Sequence, residues 1–467
     1  MPLLSPDAIR SRFSAAMSAM YRDEVPAYGA LLELVAEVNA NLLARDPALR
    51  ARLAASDDLD RISEERHGAI RLGTAAELRT MRRLFAVMGM FPVGYYDLSE
   101  AGVPVHSTAF RPVGEAALRK NPFRVFTSLL RLDLIRDAGL REEAAALLAA
   151  RDIFTPGCRA LIEKAEAEGG LTADEAERFV AEALETFRWQ PQANVGLDMY
   201  RRLHDAHRLI ADVVSFKGPH INHLTPRTLE IDAVQAGMAA RGIAPKAVVE
   251  GPPARKVAIL LRQTSFKALE ERVDFPEGDG WRPGSHTARF GEIEQRGVAL
   301  TPKGRALYDR LLAEARAKCR PAADGSNAAE YMAALDEVFA AFPDDEDSLR
   351  REGLAYFAWA LAEKAALAEK GAEAGEAPAA LDAETLLAQG LIRFDPVVYE
   401  DFLPVSAAGI FQSNLGDDAA QDFAASPSQQ RFEADLGAAV LDEFAHYAAI
   451  VETSRSACLA ALGRAVA

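Results

Sequence analysis

Three cysteines in 467 residues, Cys158, Cys319 and Cys458, are too few and too scattered for a disulfide framework or a cysteine zinc site. That scarcity suits a reducing compartment, so a cytoplasmic location is expected. No apolar run approaches the ~18–20 residues of a membrane-spanning helix, and no membrane partner is expected. The stretch Met1-Pro2-Leu3-Leu4-Ser5-Pro6-Asp7 has no charged segment leading into an apolar one, which argues against a secretory signal. Positive charge is also short: 53 Lys and Arg stand against 69 Asp and Glu, a formal net charge of −16. Without a basic stripe to follow a phosphate backbone, nucleic acid is not an expected partner. Histidine is rare enough, at eight residues, for each to be weighed singly.

What the chain does have is apolar content, 49% of residues, enough for a large core at this length. Apolar spacing near 3.6 alternates with shorter runs of β-like pattern. Residues 1–60 read as N-terminal helices, opened at Ser5-Pro6-Asp7 by a proline in the first turn. Segments 61–115, 211–300 and 392–415 carry the β-like pieces. Segments 120–210 and 301–390 read as helical insertions, the first with a capping box at Thr172 and Glu175, and 428–467 as a C-terminal helix. No break in composition marks a linker. The expectation is a single domain over 1–467 of α+β class, with one mixed central sheet and large helical insertions.

The run Arg289-Phe290-Gly291-Glu292-Ile293-Glu294-Gln295-Arg296-Gly297 organises the rest. Strand alternation places Glu292 and Glu294 on one face. Two carboxylates there are costly to bury unless a metal or a cation receives them; the alternative is a solvated edge strand. Upstream, His67, Ala69 and Arg71 share one face of another short strand, and His223 lies in a third β-like segment. Two histidines and one carboxylate, His67, His223 and Glu292, have the composition of a facial triad that leaves three metal positions open for substrate and O2. The other histidines read as structural. His204 and His207 lie on an amphipathic helix, His286 in a Gly/Pro-rich turn and His446 in the last helix, while His106 is a polar strand residue.

Four segments, Glu65-Arg66-His67-Gly68-Ala69-Ile70-Arg71, Val105-His106-Ser107-Thr108-Ala109-Phe110-Arg111-Pro112, His220-Ile221-Asn222-His223-Leu224-Thr225-Pro226-Arg227 and Phe290–Gly297, together resemble the 2-oxoadipate dioxygenase/decarboxylase family. The resemblance covers most of the chain, Phe402–Leu415 included. That family is related to the vicinal-oxygen-chelate fold and to 4-hydroxyphenylpyruvate dioxygenase, whose metal glutamate lies in a Glu-x-x-Gln-Arg motif. Glu292, Gln295 and Arg296 match that spacing, and Glu294 does not. The 120–210 block, lying between His67 and His223, departs from the simple vicinal-oxygen-chelate pattern.

The resemblance implies Fe(II) as cofactor, with His67, His223 and Glu292 as ligands and Arg71 binding a substrate carboxylate. Val405 and Ser406 would line the substrate pocket, and Glu294 would stand behind the ligands, paired with an arginine. The implied partners are a small 2-oxo diacid and O2. The implied reaction converts 2-oxoadipate to 2-hydroxyglutarate with release of CO2, a step of lysine breakdown. A metal-dependent isomerase or lyase of the same fold, acting on a 2-oxo or 2-hydroxy acid, is the alternative. A non-catalytic helical scaffold or ligand-binding protein with an accidental triad is a third reading. On a strand, His67 and Arg71 lie roughly 13 Å apart at ~3.3 Å per residue, a span suited to a linear diacid. The competing role for Arg71 is a structural salt bridge with Glu64, Glu65 or Glu294.

Overall fold

Residues 2–55, 58–99, 102–322, 325–362, 382–403 and 428–465 are described by a computed structural model of the chain. Prolines divide the N-terminal block into three helices, Pro6–Glu24, Pro26–Arg45 and Pro47–Ala55, each opening on a proline. A proline is tolerated there because the first helical N–H has no intrahelical partner to lose. Ser5 caps the first helix, its hydroxyl accepting from the Ala8 N–H at 3.3 Å.

Thirteen strands are described. They are β1 (Leu3–Leu4), β2 (Arg66–Leu72), β3 (Phe91–Asp97), β4 (Val105–Arg111), β5 (Arg124–Leu130), β6 (Leu171–Thr172), β7 (His223–Pro226), β8 (Leu261–Ser265), β9 (Glu270–Glu277), β10 (Gly280–Thr287), β11 (Phe290–Arg296), β12 (Phe357–Leu361) and β13 (Ile392–Pro396). Seven of them form the central mixed sheet in the order β3-β4-β5-β2-β7-β11-β8. β2 runs parallel to β5 and antiparallel to β7, and β7 runs parallel to β11. The architecture is the expected α+β arrangement, a mixed sheet among large helical blocks.

The two faces of this sheet differ. Ile70, Leu72, Leu224 and Ile293 point to one side, into a core shared with Phe13, Met17 and Tyr21 of the first helix and Leu31 of the second. Ala69, Ala109 and Phe126 point to the other, into a core built from both halves of the chain. His67 and Arg71 of β2, His223 and Thr225 of β7, and Glu292, Glu294 and Arg296 of β11 share this second face. Close strand contact depends on two glycines: a Cβ on Gly68 would come within 2.4 Å of Ile221 Cδ1, and one on Gly291 within 2.1 Å of Phe266 Cε1. Each neighbours a candidate ligand, and the space its own side chain would need, on the face opposite His67 and Glu292, is filled by Ile221 and Phe266.

Several boundaries differ from expectation. The 120–210 block is not wholly helical, because β5 lies in it and is buried along its whole length. A strand covered on both faces has no alternation to reveal it. Val213–Ser215, rich in β-branched residues, closes the helix Arg208–Ser215, and the strand begins only at His223. β13 does not join the central sheet. It pairs with β12 in a separate ribbon, with Ile392 packed on Cys458 and Leu462 of the last helix. The C-terminal block is two helices, Gln429–Leu436 and Glu443–Ala465, with the first ended by Gly437 at φ 73°. The capping contact at Thr172 is present, its N–H donating to Glu175 Oε2 at 3.0 Å.

Candidate metal centre

Three adjacent interior strands bring the expected ligands together. His67 lies on β2, His223 begins β7 and Glu292 lies on β11. Registers fix their common face: Ala69 pairs with His223, and Phe290, two residues before Glu292, pairs with His223. Glu292 is therefore not on a solvated edge, since β11 is covered by β7 on one side and β8 on the other. All three side chains are buried.

One ligating atom from each of His67, His223 and Glu292 lies within 4.8 Å of the others. His67 Nε2 is 3.3 Å from Glu292 Oε1, and His223 Nε2 is 3.9 Å from Glu292 Oε2. Donors bound at about 2.0–2.2 Å to one ion, at right angles, would stand about 3 Å apart, so the triad is near a binding geometry. Both ring nitrogens of His67 and of His223, and Glu292 Oε2, lack a well-directed hydrogen bond. Buried polar atoms are rarely left so, and His67 Nε2, His223 Nε2 and Glu292 Oε2, which face one another, fit a cation as the missing partner. The donor set, two imidazoles and one carboxylate, suits a divalent transition metal with open positions.

Electrostatics divide the two imidazoles. Burial opposes the charged form of His67, but Glu294 and Glu292 outweigh it and raise its pKa. His223 is held well below the usual imidazole range by burial, then by His67 and Arg71, so it stays neutral and able to ligate. Burial raises the Glu292 carboxyl, with His67 opposing. Burial also acts against the charged form of Glu294, but Arg296 and His67 bring it down to about 2.

Glu294 stands behind the triad, as expected. Its Oε2 is 2.9 Å from His67 Nδ1, the nitrogen turned away from Glu292. Arg296 holds it bidentately, donating from Nε at 2.9 Å and Nη2 at 2.8 Å. Arg124 on β5 lies 3.8 Å away and also pairs with Glu65 at 2.7 Å and with Glu400. Arg61 joins Glu65 to Glu400, and Arg227 donates to Glu65 at 2.8 Å. Four arginines and three carboxylates thus form a buried, nearly balanced network with His67 at its edge. Phe402 closes one side, its ring 4.9 Å from that of His67.

Arg71 lies on the face of His67, with Ala69 between them. Its salt bridge is with none of the three glutamates named as competitors. It donates from Nη1 to Asp212 Oδ2 at 2.7 Å, from a helix the β pattern had not connected to the site. Asp212 in turn meets His286 and His220, so His286 is a structural residue as expected, but it lies on the strand β10 and not in a turn. Gln263 was also missed: its Nε2 donates to Glu292 Oε1 from the neighbouring strand β8. Gln263 lies within the β-like 211–300 segment, but only the register with Glu294 puts it on the ligand face. Val405 and Ser406 lie outside the described residues. His106 packs between Tyr95 and Phe432, and burial lowers its pKa to about 4.

Comparison with known proteins points the same way. The family model for 2-oxoadipate dioxygenase/decarboxylase matches residues 13–414. A protein of that name from Pseudomonas putida is 59% identical over 459 residues, 98% of each chain. One from Escherichia coli is 55% identical over 455 residues, 97% of this chain and 98% of its own. The crystal structure of a Pseudomonas putida hydroxyglutarate synthase in complex with 2-oxoadipate superposes with a TM-score of 0.90 at 56% identity, covering 98% of this chain and 99% of that one.

Proposed function

Since this chain belongs to the 2-oxoadipate dioxygenase/decarboxylase family, we propose that it uses Fe(II) and O2 to convert 2-oxoadipate to 2-hydroxyglutarate and CO2. The observation that carries the reading is the triad itself: His67, His223 and Glu292 are fully buried, convergent and poorly satisfied without a cation. Their fit to a metal with open positions, on the face that also carries Arg71, suits a chelating 2-oxo acid better than an accidental cluster does.

Bound Fe(II) would supply a centre at which the 2-oxo carboxylate chelates and O2 is reduced. The protein's own groups would do the rest. Gln263 orients Glu292, and Glu294 turns Nε2 of His67 toward the ion, as outer partners of metal ligands do. Arg71 takes the far carboxylate, for which a guanidinium fork offers two parallel hydrogen bonds. Ala69, small and midway between His67 and Arg71, leaves space for the methylene chain. Phe402 and Phe126 keep water from the ligand side. The overall change balances with one O2 consumed: the first carbon leaves as CO2, and the next becomes the carboxylate of a five-carbon product hydroxylated beside it. Such a step belongs in the breakdown of lysine. Free, buried cysteines and the lack of a described helix long and apolar enough to cross a membrane suit a cytoplasmic enzyme.

The test is gas stoichiometry on anaerobically reconstituted protein. One O2 should disappear and one CO2 form per 2-oxoadipate, without added 2-oxoglutarate. With labelled O2, one atom should enter the new carboxylate and the other the hydroxyl. Turnover at full rate without oxygen would instead make the protein an isomerase or lyase.

A further inference from the structure

We propose that Asp212 is a positioning residue that fixes the reach of Arg71 and so sets the length of diacid the site accepts. The inference rests on the reading of Arg71 as the far-carboxylate site. Asp212 belongs to the helix Arg208–Ser215, whose residues from Leu209 to Ser215 are all buried, so its backbone has little room to move. Its Oδ2 accepts from Arg71 Nη1 at 2.7 Å. Its Oδ1 lies 3.0 Å from His286 Nε2 on β10 and 3.3 Å from His220 Nε2 before β7. The other ring nitrogen of His286, Nδ1, lies 2.8 Å from the Tyr200 hydroxyl on the helix Leu197–Ala206.

One carboxylate is therefore held by groups from three further elements. A simple counter-ion for an arginine needs one contact. This one has its orientation fixed on both oxygens, and the guanidinium it grips inherits that orientation. The grip fixes where the guanidinium stands on the strand face it shares with His67. The distance left over Ala69 is the distance a substrate chain must span. Without the grip, a flexible arginine side chain can fold back toward His67 and meet a shorter diacid. Burial acts against the Asp212 anion, but His220 and Arg71 hold its pKa well below the carboxylate range, so the grip persists across ordinary pH.

The experiment compares kcat/KM for 2-oxoadipate, 2-oxoglutarate and 2-oxohexanoate in wild type, Asp212→Asn, His286→Gln and Arg71→Leu, each with its iron content measured. Asp212→Asn should lower the preference for 2-oxoadipate over 2-oxoglutarate by about ten-fold, chiefly through KM, as expected for loss of one charge-assisted hydrogen bond. His286→Gln, which leaves both Asp212 and Arg71 in place, should shift the same ratio in the same direction by less. A merely structural role would lower all three substrates together, and that result in both variants overturns the proposal. Arg71→Leu separates the two readings. If it leaves the preference for 2-oxoadipate over 2-oxohexanoate intact, the role of Arg71 fails, and the inference with it. If it abolishes that preference while Asp212→Asn and His286→Gln leave the chain-length ratio unchanged, the inference alone fails.

Discussion

Replacing Glu294 by glutamine tests which carboxylate of β11 holds the metal. The change keeps volume and one acceptor but removes the charge 2.9 Å from His67 Nδ1. Loss of such an outer partner typically lowers metal affinity about 10–100-fold, or ~1.4–2.7 kcal/mol. The neighbours bear a separate cost, since breaking a buried ion pair destabilises by about 3–5 kcal/mol when a charge is stranded. Here the lower end is expected. Arg296 keeps the Tyr399 and Asp401 carbonyls at 2.8 and 2.9 Å, and Arg124 keeps Glu65 and Glu400. Glu294→Gln should therefore fold, melt earlier, and still fill with iron at raised concentration. Glu292→Gln should lose the ion altogether. Anaerobic titration of metal-free protein with Fe(II) against a coloured chelator, with thermal melts alongside, reads both quantities. If Glu294→Gln abolishes binding while Glu292→Gln stays within ten-fold of wild type, the assigned ligand is wrong.

Arg71→Leu should reduce kcat/KM for 2-oxoadipate far more than for 2-oxohexanoate, and Arg71→Lys should also weaken the diacid, since one ammonium cannot copy a two-pronged contact; equal losses on both acids would make Arg71 structural. Ala69→Leu puts a larger side chain between His67 and Arg71, and should raise KM for 2-oxoadipate at least ten-fold while iron content stays at the wild-type level; an unchanged KM would place the chain elsewhere. His106 affects stability with pH. Its folded pKa is lowered to about 4 against about 6.5 unfolded, so the unfolded chain binds the proton first. Stability from this group is complete above pH ~6.5 and is lost as pH falls toward ~4. His106→Gln should therefore gain in melting temperature relative to wild type between pH 7 and 5; a constant difference across that range contradicts the reasoning.

The parts of this site that could be read from the chain are those on alternating strands. Period two alone puts His67 with Arg71 and Glu292 with Glu294, and the motif around Gln295 and Arg296 ranks the two glutamates. What alternation cannot supply is the order of strands. Gln263 reaches Glu292 because β8 is the neighbour of β11, and nothing in Arg262-Gln263-Thr264 says so. Asp212 was invisible for a different reason. It is the one acid in the helix Arg208–Ser215, set among Leu209, Ile210, Val213 and Val214, and only the packing of that helix against Arg71 gives it a partner. The strand β5 was lost because it is buried on both faces, and β13 was misplaced because its apolar residues serve the last helix and not the central sheet.

The position of β7 has a consequence for how such a centre is made and lost. This four-residue strand is inserted between β2 and β11, so residues 67, 223 and 292 meet only after segments far apart in the chain have paired. Contacts of that sequence separation form late, because the loops must close first. A nascent chain released before β11 is synthesised has two imidazoles and no carboxylate to complete the set. An ion held here would load onto a finished sheet and could not seed its assembly. Once in place it would tie three strands with one fastening, and opening any of them would release it. Its contribution to stability would follow mass action, about 2.7 kcal/mol at a hundred times its dissociation constant, so supply of that metal would govern how long the folded enzyme survives as well as how fast it turns over.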